Sequence, residues 1–126
     1  MIRVLIVDDH AVLRSGLRLL VDDAPDMEVV GEAGDGASAL DLIGTTQPDV
    51  VLLDDTLPDI AASEIIRRVR HGTTRSCDFL VLMMYIEERQ LQSVLDAGAA
   101  GCVAKLDADA DLLIAIRETH HRILQE

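Results

Sequence analysis

Five short apolar runs, each followed by a stretch with helical spacing, limit what this chain can fold into. I-R-V-L-I-V (2–7), M-E-V-V-G-E-A (27–33), V-V-L-L (50–53), D-F-L-V-L-M-M (78–84) and a run opening with G-C-V-A-K (101–105) read as strands. Val12, Leu13, Leu17, Leu20 and Val21 recur at near 3.6-residue spacing and predict a helix over about 11–22. A second helix carries Ala39, Leu40, Leu42 and Ile43, and a third spans 60–70 with Ile60, Ile65, Ile66 and Val69. Two more are expected over about 87–97 and 109–124, and Ala24-Pro25-Asp26 and Gln47-Pro48-Asp49 punctuate the chain. V-V-L-L is apolar at successive positions, so both of its faces are buried, as in a parallel strand covered by helices on each side. The pattern is five βα units in one domain over residues 1–126. It predicts an α/β, flavodoxin-like, doubly wound (βα)5 fold with strand order 2-1-3-4-5.

Composition narrows the function. Of 126 residues, 49% are hydrophobic, enough for a real core. No apolar run approaches the roughly 20 residues of a membrane helix. M-I-R-V-L-I-V meets D-D without the pattern of a signal peptide, which suggests a cytoplasmic protein with no membrane association. A net charge of -12 disfavours a phosphate-backbone partner, and two aromatic residues, Phe79 and Tyr85, make no base-stacking platform. Cys77 and Cys102 match no zinc spacing and read as small buried hydrophobes. Ten of the eleven basic residues are arginine, so the single lysine, Lys105, raises the question of whether that position needs a compact ammonium.

In a doubly wound sheet, ligands bind beyond the carboxyl ends of the strands where strand order reverses. Asp8 and Asp9 follow strand one, Asp54 and Asp55 follow strand three, Met83 and Met84 end strand four, and Lys105 follows strand five. Each has an ordinary explanation: Asp9 or His10 as a helix cap, Asp54-Asp55 as turn residues before Pro58, Lys105 as a solvated loop residue. Their joint placement at three strand ends favours a site instead. Clustered carboxylates need a cation, and an oxygen ligand set with waters suits Mg²⁺. A carboxylate can also act as a nucleophile toward phosphorus, with the metal and a lysine neutralising charge. Side chains alternate along a strand, so at most one of Asp54 and Asp55 faces the acid pair; alternation leaves both open. His10 beside the acid pair points to a softer metal as a minor alternative, because a lone imidazole at a helix start is usually a surface group; His120 and His121, in the last helical turn, are given no site role.

V-L-I-V-D-D-H-A-V-L-R-S-G-L, E-V-V-G-E-A-G-D-G and P-D-V-V-L-L-D together resemble the receiver domain of bacterial two-component response regulators, in its NarL/LuxR-type branch, over essentially the whole chain. The resemblance implies a signalling domain rather than an enzyme, phosphorylated by a sensor histidine kinase. Its D-x-x-M-P motif selects Asp54 as phosphoacceptor, because Pro58 lies four residues later. Asp8, Asp9, Asp54 and the backbone carbonyl of Thr56 match the Mg²⁺ ligands, and Lys105 matches the lysine that pairs with the phosphoryl group. Branch members usually carry a C-terminal helix-turn-helix DNA-binding domain; none falls within residues 1–126, so these residues are either part of a longer chain or a stand-alone receiver. A homodimer through helices 1 and 5 is also implied.

Five positions depart from the family pattern, the mildest being Leu57 for the Met of D-x-x-M-P. Met83 stands where the family has a Ser or Thr hydroxyl, and Cys102 where it has a switch aromatic. Asp55 follows the acceptor where an apolar residue is usual, and Ala62 replaces a glycine. The loss of both switch residues keeps a second reading open: a pseudo-receiver regulated without phosphorylation. An aspartate-nucleophile phosphatase of the haloacid dehalogenase kind needs D-x-D-x-T/V after strand one, whereas this chain has D-D-H there and D-D-T at strand three. No phosphate-cradling G-x-x-x-x-G-K-S/T occurs.

Overall fold

The computed structural model describes residues 1–72, 77–105 and 110–125. Ten elements alternate in order: β1 (Ile2–Val7), α1 (Ala11–Asp22), β2 (Met27–Ala33), α2 (Gly36–Thr46), β3 (Val50–Asp54), α3 (Ala62–Gly72), β4 (Asp78–Met83), α4 (Glu88–Ala97), β5 (Gly101–Ala104) and α5 (Ala110–Gln125). The strands form one parallel sheet in the order β2-β1-β3-β4-β5. This is the expected doubly wound, flavodoxin-like fold.

Alternation along each strand divides the core in two. Leu5, Val7, Val51, Leu53, Phe79, Val81 and Met83 pack with residues of α2, α3 and α4. Val4, Ile6, Val50, Leu52, Leu80, Leu82 and Val103 pack on the other face with Leu17 and Val21 of α1 and Leu112 and Ile116 of α5. All five residues of β3 are buried, which is why its sequence shows no polar alternation.

Several boundaries differ from the sequence reading. β3 runs one residue further, because Asp54 still pairs with Leu82 of β4. β4 stops at Met83, its last partner on β5 being Ala104, and Met84 is exposed. α4 begins at Glu88, with Glu87 in extended conformation as its N-cap. α3 begins at Ala62 rather than residue 60. The Asp59 carboxylate accepts from its neighbour Ile60 N–H and also from Gly36 and Ala37 N–H at the start of α2, holding 59–60 outside the helix. These donors lower the Asp59 pKa, the Gly36 amide first among the causes. The approach is tight: a Cβ on Gly36 would lie 2.9 Å from the Ile60 Cβ. The expected start of the last helix at residue 109 lies outside the described residues.

Arg70 of α3 fastens the opposite end of the sheet. Its guanidinium donates to the Cys77 carbonyl at 2.6 Å, the Gly98 carbonyl at 2.9 Å and the Asp78 carboxylate at 3.1 Å, and lies over the Phe79 ring. Gly98 ends α4 with φ +116°, a conformation that favours glycine, and a side chain there would also crowd Arg70.

Candidate functional site

The carboxyl ends of β1, β3 and β5 converge because these strands lie at the centre and one edge of a parallel sheet. Asp8, Asp54 and Lys105 continue the alternation of Ile6, Leu52 and Val103, so all three extend the register of the α1/α5 face. Asp8 and Asp54 are fully buried and Lys105 is 8% exposed. The Lys105 ammonium lies 2.9 Å from Asp54 Oδ1 and 3.3 Å from Asp8 Oδ2.

The two oxygens of Asp54 have different surroundings. Oδ1 accepts from the Thr56 amide and the Thr56 hydroxyl, both at 3.1 Å, besides its ion pair with Lys105. Oδ2 is buried with no hydrogen-bond partner among the described residues, and lies 4.0 Å from His10 Nδ1. Asp8 Oδ2 also makes no hydrogen bond among the described residues, although it stands in ion-pair range of Lys105.

These surroundings set the charges. Burial pushes the Asp54 carboxyl up, but the hydrogen bonds from Lys105 and Thr56 outweigh it and leave its pKa below the ordinary carboxylate value. Burial likewise opposes the Lys105 charge, and the two aspartates more than offset it, raising the lysine pKa. Asp9 shifts the other way. The neighbouring Asp54 carboxyl, then burial, raises its pKa above the ordinary carboxylate value. Asp54 therefore holds its negative charge while Asp9 gives its own up more readily.

The sequence reading put His10 beside the acid pair but favoured a surface role for it. It does not cap α1 with its side chain, and neither does Asp9. Instead the His10 amide donates to Asp8 Oδ1 at 2.8 Å, closing a tight turn. That turn brings the imidazole Nδ1 to 3.2 Å from Asp8 Oδ1 and 3.2 Å from Asp9 Oδ1. An Asp two residues before a helix-opening His was the available signal, but the ring direction depends on side-chain torsions that sequence does not display.

Asp55 and the switch positions share the other face. Asp55 follows Leu53 in alternation, and its half-buried carboxyl lines a hollow of about 170 Å³ between α3 and α4, with Ala62, Ser63, Gln90 and Ser93 among its neighbours. Burial first, then Asp54 and Glu87, raise the Asp55 pKa. Met83 is buried in the same core, and the Cys102 thiol is pushed up to about 11 by burial and by Asp55. A thiol so protonated is a poor nucleophile. Cys77 is buried, and both cysteines are free.

Asp8, Asp9, His10 and Asp54 offer ligand atoms all within 4.8 Å of one another. Buried carboxylate oxygens that lack a donor fit a hard divalent cation, and the exposed side of the cluster leaves room for the waters that Mg²⁺ retains. The fold and site thus define an α/β domain with a buried aspartate set between a lysine and an acid cluster whose donors fit a divalent cation.

Residues 4–117 match the family model of the response regulator receiver domain. The chain is 36% identical over 120 residues to response regulator UvrY of Escherichia coli K12, covering 95% of this chain and 55% of that protein. It is 38% identical over 117 residues to the nitrate/nitrite response regulator protein NarP of the same organism, covering 91% and 53%. Among solved structures it superposes on the signal receiver domain of the response regulator NarL from Mycobacterium tuberculosis with a TM-score of 0.90, at 31% identity and covering 95% and 96% of the two chains. A LuxR-family two-component response regulator from Aurantimonas gives 0.88, at 34% identity and covering 94% and 84%. The chain belongs to the response regulator receiver domain family, in its NarL/LuxR-type branch. It spans about half the length of the curated relatives it matches.

Proposed function

We propose that Asp54 accepts a phosphoryl group from a phosphohistidine on a sensor histidine kinase, in a site that binds Mg²⁺ through Asp8, Asp9, Asp54 and the Thr56 carbonyl. The division of Asp54's two oxygens carries this reading. Oδ2, without a donor, is turned toward the acid cluster and would hold the cation. Oδ1 sits among Lys105, the Thr56 amide and the Thr56 hydroxyl, donors that suit phosphoryl oxygens. Its lowered pKa keeps the carboxylate charged for attack. Asp54 Oδ1 forms a bond to phosphorus as the donor's N–P bond breaks, and the freed imidazole takes up a proton from solvent. The product is an aspartyl phosphate. Lys105 and the Thr56 donors then move from Oδ1 to the new oxygens. Bound Mg²⁺ supplies neutralisation of the phosphoryl charge.

Residues 1–126 act in this reading as one receiver domain in the cytoplasm, controlling transcription through a DNA-binding domain elsewhere in the protein. Val12 and Leu19 of α1 and Ile114 of α5 are large exposed apolar side chains, which supports pairing of two copies through helices 1 and 5. Among the described residues no helix is long and apolar enough to cross a membrane.

Met83 and Cys102 favour a second reading. Neither supplies the hydroxyl or the mobile ring of the usual switch, so the domain could act as a pseudo-receiver without phosphorylation. Intact mass after treatment with a small acyl-phosphate donor separates the two. One added phosphoryl group, dependent on Mg²⁺ and lost in Asp54→Asn, supports the first reading. Mg²⁺ binding with no added mass supports the second, and continuous phosphate release would instead mark an enzyme.

A further inference from the structure

We propose that His10 is itself a metal ligand, giving the acid cluster one imidazole nitrogen and making it a site for borderline first-row divalent cations of the Mn²⁺-to-Ni²⁺ series as well as Mg²⁺. The inference rests on the cation site of the preceding reading but not on phosphorylation of Asp54.

The distances have the geometry of a shared ion. A cation about 2.1 Å from each ligand sets neighbouring ligands of an octahedron about 3.0 Å apart and opposite ones about 4.2 Å apart. His10 Nδ1 stands 3.2 Å from Asp8 Oδ1, 3.2 Å from Asp9 Oδ1 and 4.0 Å from Asp54 Oδ2. Those are two neighbouring separations and one near-opposite separation. The buried oxygen Asp54 Oδ2, without a hydrogen-bond partner among the described residues, marks a place on the His10 side that needs positive charge, since Lys105 pairs with Oδ1 of that carboxylate. Lys105 approaches Asp8 from Oδ2, whereas His10 approaches from Oδ1, so ammonium and imidazole occupy different sides of that carboxylate. The His10 side chain is 62% exposed, which lets Nε2 keep its proton toward solvent and lets water complete the coordination shell.

Donor chemistry then decides selectivity. Mg²⁺ takes oxygen ligands and gains little from an imidazole, whereas affinity for a mixed nitrogen–oxygen set rises from Mn²⁺ through Co²⁺ to Ni²⁺. An imidazole that only donates a hydrogen bond to Asp8 leaves an all-oxygen set, whose rise along the series is shallower and does not depend on His10.

Two measurements on the whole chain test this. Electron spin-echo spectroscopy of the protein loaded with Mn²⁺ should show modulation from a directly coordinated imidazole nitrogen, and His10→Asn should abolish it. Calorimetric affinities should show a Ni²⁺-to-Mg²⁺ preference that falls by about tenfold or more in His10→Asn, with a smaller fall for Mn²⁺. Circular dichroism checks that the variant keeps its fold. Absence of nitrogen modulation, its persistence in His10→Asn, or an equal loss of affinity for all three ions overturns the assignment. Because these are binding measurements, they stand whether or not Asp54 takes a phosphoryl group. Conversely, Mg²⁺-dependent labelling of Asp54 with no nitrogen signal sinks the His10 ligand and leaves the phosphoacceptor intact.

Discussion

Replacing Lys105 with methionine removes the ammonium that Asp8 and Asp54 share while keeping a chain of similar length. Both carboxylates are fully buried, and the lysine side chain is 5% exposed, so water screens the loss poorly. Breaking a buried ion pair in this way costs about 3–5 kcal/mol, because it strands the remaining charge. For a domain of this size the melting temperature in metal-free buffer should fall by about 10–20 °C. At a urea slope of about 2 kcal/mol/M, the unfolding midpoint should drop by about 2 M. Two controls tie the loss to charge rather than packing. Adding Asp54→Asn to the variant should recover much of it, since one stranded carboxylate is gone and the coupling in the double-mutant cycle is then large. Saturating Mg²⁺ should stabilise the variant more than the parent, because the cation replaces the missing charge. A cost below about 1 kcal/mol, or a double variant no more stable than Lys105→Met alone, would refute the account of a shared buried ammonium.

Two further outcomes are expected. Asp9 has a folded pKa above its unfolded value of about 3.9, so its ionised form opposes folding; the penalty is absent below the unfolded pKa and complete above the folded one. Asp9→Asn should therefore raise the metal-free urea midpoint at pH 7, and the gain should vanish as pH falls through the raised pKa toward about 4. Asp54 runs oppositely: its contribution is complete above the ordinary carboxylate pKa and is lost only as pH falls through its lowered one. Met83→Thr places a hydroxyl at the end of β4 at a cost of about 1–3 kcal/mol in lost apolar burial. If the missing hydroxyl uncouples the site, amide shift changes across residues 84–106 on phosphorylation should be small in the parent and larger in this variant; equal changes in both would count against the uncoupling.

How far the sequence reached depended on range. Strand ends are local features, and alternation along β1, β3 and β5 put Asp8, Asp54 and Lys105 at the edge of one sheet before any contact was known. The bounds of β1, α1 and β2 follow their apolar runs for the same reason. The start of α3 was misplaced because it is fixed by Asp59 reaching back to the first amides of α2, a bond between residues 22 and 23 positions apart. Alternation alone left Asp54 and Asp55 open; the resemblance selected Asp54 by its spacing to Pro58, and β3 runs through Asp54 with its carboxylate on Lys105. The His10 ring stayed hidden because it depends on a two-residue turn closed by an Asp8 oxygen that is also part of the site.

The Asp59 link has a mechanical consequence. The loop after β3 is bolted to α2 at two amides, while its other flank borders the hollow beneath α4 that Asp55 lines. A push generated at Asp54 therefore meets a stiff wall on one flank and a compliant one on the other. Any local shift of that loop would be accommodated on the α4 side, next to the exposed Met84-Tyr85-Ile86 segment that leads into that helix.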